Sequence, residues 1–465
     1  MNDNATPLDR SIPPKPGPLT KVSFPRFQEG ILSNGLEVWT VQNHEQPIVS
    51  LSLYVRGGSA RDPRNRQGLA SSTAELLTKG TTSRSATEIA ETIDFVGGSL
   101  TASAGWDALT INISVLSKYL DVAIDLLSDI IQNSTFPDEE VERMRLQRLA
   151  GIRQSKADAG FLADTVFSKL VFPGHPYGQQ PIGTEQSVRE MERNEIVRFA
   201  KEYITPANSF LTAAGDIVPD TFRTLLEQKT SSWSGQPREM VMSYGDASLG
   251  AHTQVGLVNR EGAVQSALRV GHVGIRRNSP DFIALSALNM LLGGYFNSRI
   301  NLNLREKHGY TYGARSFFDT RMGAGPFAVS TEVRTEVTVR AVEEIISEIS
   351  RVAQLPVEET ELRMVQDYMI GNFPLQIETP QQVAGRVATI VLYGLERDYW
   401  DTYREKLSAL TSVELYRVAR EYLHPKELTI AASGNVQAIE EGMGEFGEVT
   451  VFDDEGALVE TPVFI

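Results

Sequence analysis

The chain has no cysteine in 465 residues. It therefore cannot build a disulfide framework, a thiolate nucleophile, or a Cys-ligated zinc or iron–sulfur centre. Positive charge is short: 44 Lys+Arg stand against 59 Asp+Glu, a formal net charge of -15. Phosphate backbones and anionic lipid both need a basic face, so the expectation is no nucleic-acid and no membrane partner. No run approaches the ~18 consecutive apolar residues of a membrane-spanning helix. The opening MNDNATPLDRSIPPKPGPLTKVSFP has no basic segment followed by an apolar run. That sets the expectation of a cytoplasmic protein, or a periplasmic one where a leader precedes this start.

Histidine is scarce and scattered. The six are His44, His175, His252, His272, His308 and His424. No two lie three or four apart, so no helical turn can present a His pair to a metal. His175 sits in the turn GHPYG and His424 precedes Pro425. His272, on an apparent strand, reads as a satisfied core or interface residue.

What is present is a folded chain, 41% hydrophobic and 22% charged. About 150 residues per domain would suggest three domains, but an internal repeat corrects that. YITPANSFLTAAGDI from Tyr203 resembles YLHPKELTIAASGNV from Tyr422, 219 positions on. Phe136-Pro137 recurs as Leu355-Pro356, and DLLSDII from Asp125 as EIISEIS from Glu344, both at the same offset of 219. The expected organisation is a Pro-rich tail (1–27), a first unit (28–230), a polar Gly/Pro linker (231–250) and a second unit (251–465).

Each unit reads as mixed α and β. Val49, Leu51, Leu53 and Val55 alternate, as do Leu109, Ile111, Ile113 and Val115, which predicts half-buried strands. PFAVSTEV (326–333) alternates in the second unit. Ser85 and Glu88 form a capping box before Ile89, Ile93 and Val96, and Gly97-Gly98 stop that helix. Amphipathic stretches at 117–131, 138–170, 338–353 and 357–372 predict further helices. The expected fold class is α+β: two homologous α/β-sandwich units, each an antiparallel-rich sheet with helices packed on it.

Asn65 to Ala108, NRQGLASSTAELLTKGTTSRSATEIAETIDFVGGSLTASAGWDA, resembles the zinc-binding region of the M16 (pitrilysin, mitochondrial processing peptidase) metallopeptidase family. Active members read Gly-Leu-Ala-His-x-x-Glu-His, then Lys-Gly-Thr after a few apolar residues. In such a motif two His on one helical face bind zinc and the Glu serves as general base. Aligned on Gly68-Leu69-Ala70 and Lys79-Gly80-Thr81, the three functional positions hold Ser71, Ala74 and Glu75. The family's third ligand, a later helical Glu, falls near Gln147 to Gly151, where there is no carboxylate. The resemblance thus implies a degenerate motif, with no metal and no cofactor in this chain.

LLGGYFNSRINLNLREKHGYTYGARSFFD (Leu291 to Asp319) resembles the family's second signature, an Arg and a Tyr seven residues apart in Leu-Arg-x-x-x-x-Gly-x-Tyr. Here the pair is Arg305 and Tyr312, with Tyr310 a competitor for the second role. Residues 298–308 read as a helix closed by Gly309, and Tyr312 as the start of a strand. A guanidinium and a phenol fixed near an attacked peptide carbonyl stabilise the charge its oxygen gains. On spacing alone Arg305 is an ordinary salt-bridge residue and Tyr312 a strand aromatic; the joint match points to catalysis. Gly293, Gly294 and Tyr295 occupy the place of a glycine-rich substrate-binding loop. SLTASAGWDALTINIS (Ser99 to Ser114) corresponds to the strand edge where active members lay substrate, read here as a structural edge.

The resemblance covers about residues 28 to 440. It implies a zinc-free, Arg/Tyr-bearing subunit of a heteromeric peptidase that acts on unfolded peptides. The implied partner is an M16-type subunit carrying His-x-x-Glu-His and Zn2+, with a homodimer left open. The alternative is a non-enzymatic, structural or peptide-binding homologue of the core-protein kind.

Overall fold

A computed structural model describes residues 22–235 and 247–459. Most of the expected tail and linker lie outside the described residues. Where the tail is described it is not free: Phe24 is buried and Phe27 packs 5.7 Å from the Trp39 ring.

Among the described residues, twelve strands form two six-stranded sheets. The first is built from β1 (Gln28–Ile31), β2 (Glu37–Gln42), β3 (Ile48–Val55), β4 (Ser99–Ala104), β5 (Leu109–Leu116) and β6 (Ser209–Gly215) in the order β1-β2-β6-β3-β5-β4. The second is built from β7 (Gln254–Asn259), β8 (Gln265–Val273), β9 (Ala314–Phe318), β10 (Pro326–Arg334), β11 (Thr429–Gly434) and β12 (Glu448–Phe452) in the order β12-β7-β11-β8-β10-β9. In both, the inner parallel pair (β2 with β6, β7 with β11) is followed by three antiparallel partners. The outer strand differs. β1 adds antiparallel from the N-terminal side, and β12 adds parallel from the C-terminal side.

The first sheet is accompanied by α1 (Leu69–Leu76), α2 (Ala86–Phe95), α3 (Leu120–Asn133), α4 (Asp138–Ser155), α5 (Ala159–Val171), α6 (Glu185–Glu190), α7 (Arg193–Tyr203) and α8 (Pro219–Thr230). The second has α9 (Phe282–Asn289), α10 (Arg299–Asn301), α11 (Thr338–Gln354), α12 (Glu359–Asn372), α13 (Pro380–Tyr393), α14 (Tyr399–Ala409), α15 (Ser412–Tyr422) and α16 (Val436–Met443). The capping box forms as the sequence implies: Ser85 accepts from Glu88 N while Glu88 accepts from Ser85 N. The stretch 138–170 is not one helix. It breaks at Lys156–Asp158, and the Asp158 carboxylate caps α5 by accepting from Phe161 N at 2.8 Å.

The two units exchange a helix. α5 lies on β7, β8 and β11 of the second sheet, and α13 lies on β2, β3 and β6 of the first. This corrects the expectation for β3. Val49, Leu51, Leu53 and Val55 fill the first core, but Ser50 and Ser52 between them are also buried, because α13 covers that face. β5 keeps the expected alternation.

Candidate functional site

In the first half, α1 carries the three positions aligned above with the zinc motif, Ser71, Ala74 and Glu75. Its start is held by Asp62, whose carboxylate accepts from Gly68 N and Ala70 N, each at 2.8 Å. Gly68 has φ +86, and a Cβ there would lie 2.8 Å from Ile182 O, so the close approach of the 181–183 segment requires glycine. Ala74 is buried in the core. Ser71 and Glu75, four apart, share one helical face. Arg148 reaches both from α4. Its Nη1 donates to Ser71 Oγ at 2.6 Å and its Nη2 to Glu75 Oε2 at 2.6 Å. Ser71 Oγ in turn donates to Pro181 O at 2.7 Å. A zinc ion does not fit this set: the hydroxyl is a weak ligand, Ala74 offers none, and the one carboxylate is already paired. Among the described residues no three His, Asp or Glu side chains converge as a metal-ligating group.

The second half places a cleft of about 620 Å3 at the edge strand β9. Gly293, Gly294, Tyr295 and Tyr312 all line it, together with Phe296, Asn301 and Arg315. The glycines belong to a π-helical turn, Met290–Gly294, that continues α9. Gly293 is required there, since a Cβ would sit 2.5 Å from Ser316 N on β9. A second π-helical stretch, Leu302–Lys307, continues α10 and carries Arg305. The expected plain helix over 298–308 is therefore corrected. Its last turn is widened, with His308 N bonded five residues back to Asn303 O. Gly309 closes it at φ +62.

Arg305 is not in the cleft wall. Its guanidinium lies 4.4 Å from the centre of the Phe296 ring, which is, and its Nη1 is 3.5 Å from Glu306 Oε1. Nη1 is buried without a hydrogen-bond partner. Tyr312 is not in a strand: β9 begins at Ala314, because Thr311 Oγ1 accepts from Gly313 N and bends the chain. Its side chain is 95% exposed beside the cleft. Tyr310 packs instead on His308, 4.9 Å between ring centres.

Two residues that sequence reasoning passed over organise these sites. One is Arg148, a cation in the stretch where the resemblance implies a carboxylate, and that reversed charge is its signal in the sequence. The other is buried Asn301. Its Nδ2 donates to Phe296 O at 2.6 Å and its Oδ1 accepts from Ala314 N at 3.1 Å, tying the glycine turn to the Tyr312 loop. His272 is a core residue: burial lowers it to about 4, its Nδ1 bonds Val273 O at 2.7 Å, and its Nε2 accepts from His424 N at 3.2 Å.

Comparison with known proteins matches two family profiles. Residues 37–173 match "Insulinase (Peptidase family M16)" and residues 190–369 match "Peptidase M16 inactive domain". An uncharacterized zinc protease of Mycobacterium tuberculosis is 28% identical over 397 residues, 84% of this chain and 90% of that protein. Another from Rickettsia bellii is 26% identical over 354 residues, 76% of this chain and 84% of that one. Among solved structures, a peptidase M16 inactive domain from Pseudomonas fluorescens superposes with a TM-score of 0.82 at 22% identity, covering 88% of this chain and 98% of that one. A protease from Helicobacter pylori gives 0.84 at 20%, covering 88% and 100%. These two establish the fold, α+β with two sheet-and-helix units.

Proposed function

The chain belongs to the M16 peptidase family, and from that premise we propose that it is the zinc-free subunit of a heteromeric peptidase acting on unfolded peptides. The observation that carries this reading is the contrast between the halves. The zinc-motif face is occupied by the Ser71–Arg148–Glu75 contacts, while the second half keeps an open cleft with Tyr312 at its rim. The partner would bring His-x-x-Glu-His and its Zn2+, which supplies the polarised water for hydrolysis. This chain would supply a phenol from Tyr312 and a guanidinium from Arg305. Both act on the carbonyl oxygen as charge develops there. Gly293, Gly294 and Tyr295 would hold the peptide, with the glycine backbone free of side-chain obstruction.

The pure chain should then contain no stoichiometric zinc and cleave no peptide, and adding the partner should restore cleavage. In that complex Arg305→Ala should lower kcat by about 10²–10³ and Tyr312→Phe by less. Robust cleavage by the pure chain would end the proposal. One observation favours a second reading, a non-enzymatic peptide-binding or structural role: the Arg305 guanidinium lies against Phe296. An unchanged kcat in Arg305→Ala would decide for it.

A further inference from the structure

We propose that Arg148 is a resident cation that takes the metal's place in the first half and closes that site to divalent ions. The inference deepens the zinc-free reading, but it concerns this chain alone. Two positions four apart on one helical face are the geometry by which a helix holds a metal. In this chain those positions, Ser71 and Glu75, converge on one guanidinium carried by a second helix. The guanidinium satisfies what an ion there would satisfy. It neutralises Glu75 and directs a donor at Ser71 Oγ, which leaves the hydroxyl proton for Pro181 O.

The fit is built rather than casual. The Arg148 side chain is 12% exposed, and Nη1 also lies 3.4 Å from Gly68 O and 3.5 Å from Ile182 O. One side chain thus fastens α4, α1 and the 181–183 segment. The ion pair Arg143–Glu140 is different in kind: the Arg143 side chain is 58% exposed and the pair joins residues three apart within α4. Divalent ions are excluded twice, by steric occupation and by like charge. Restoring ligands on α1 is therefore insufficient, and the reversal has to include Arg148.

The test uses the full chain and zinc alone, with no partner. S71H/A74E/E75H is compared with S71H/A74E/E75H/R148A, which removes the cation without adding a ligand, by metal analysis after dialysis and by competition with a chromophoric chelator. The four-fold variant should hold about one zinc per chain. The triple variant should bind more weakly by at least about tenfold, since the ion must displace a partly buried guanidinium. Equal zinc in both, or none in either, overturns the proposal. A second arm does not depend on those variants folding. E75R and R148E should each lower the melting temperature, and E75R/R148E should recover part of that loss. No recovery overturns the pairing on which the proposal stands. Because neither arm measures peptide cleavage, loss of the heteromeric reading would leave this result intact, and the reverse holds.

Discussion

The two halves share a fold and differ in how each receives the other's helix. α5 meets the second sheet through Leu162, Val166 and Phe167, packed with Val258, Ala328 and Ala431. It comes close enough that a Cβ on Gly256 would lie 2.5 Å from Val166 Cγ1. α5 also carries a charged contact, with Asp164 paired to Arg269 of β8 at 2.6 Å, whereas α13 meets a face of the first sheet with the small neutral polar side chains Ser50, Ser52 and Thr212. A duplicated unit can thus keep one topology while its two exchange contacts diverge. Apolar burial at the α5 contact helps to hold the halves together. Phe167→Ala should cost about 3–5 kcal/mol. Thr212→Val, on the other exchange face, loses only a 3.4 Å bond to Ser52 O and should cost about 1 kcal/mol or less. Urea unfolding of both variants checks this, and equal losses would break the comparison.

The halves also bury titratable groups of opposite behaviour. Burial pushes Asp62 up to about 7, against the pull of its amide donors and Arg148. Burial lowers His272 to about 4. For Asp62 the folded value lies above the unfolded 3.8, so its contribution is present in acid and is lost as pH rises toward 7. For His272 the folded value lies below 6.5, so its contribution is present above 6.5 and is lost as pH falls toward 4. Asp62→Asn should flatten the decline of stability between about pH 4 and 7, and His272→Gln the loss below about pH 6.5. Melting temperatures across that range separate the two. A shared slope change in both variants would mean that the two halves do not titrate independently.

Much of the fold was legible. The repeat at offset 219 placed β6 opposite β11 and α3 opposite α11, and alternation located β3, β5 and β10. The helix exchange was not legible, because periodicity says that a face is buried and not which sheet buries it. Ser50 and Ser52 read as solvent-facing for that reason. The candidate residues were legible as residue types, but Arg305 lies outside the cleft wall. Gly293, Gly294, Tyr295 and Tyr312 do line one cleft, yet the widened turns that set them depend on tertiary contacts. Asn303 in the second π turn donates to Glu344 and Glu348 of α11, two bonds that no local pattern announces. Arg148 was in plain view, but only its three-dimensional reach to Ser71 and Glu75 gives it meaning.

A more local effect concerns the second half's own fastener. In the first half a charged residue, Arg148, joins α4 to Ser71 and Glu75 of α1. In the second half a neutral one, Asn301, joins the glycine turn to the Tyr312 loop with one donated and one accepted bond. Both bonds are to backbone, so they position the chain without adding charge to the cleft. Asn301→Asp keeps an acceptor for Ala314 N but leaves Phe296 O without its donor; Asn301→Leu removes both. The expected cost is about 1 kcal/mol for each bond lost, more where a backbone group is left buried. Amide exchange at Ala314 should quicken in Asn301→Leu more than in Asn301→Asp, with amides of β6 in the other half unchanged. Equal exchange in the two variants would mean that the loop is held by Thr311 and Thr331, whose hydroxyls lie 3.0 Å apart, and not by Asn301.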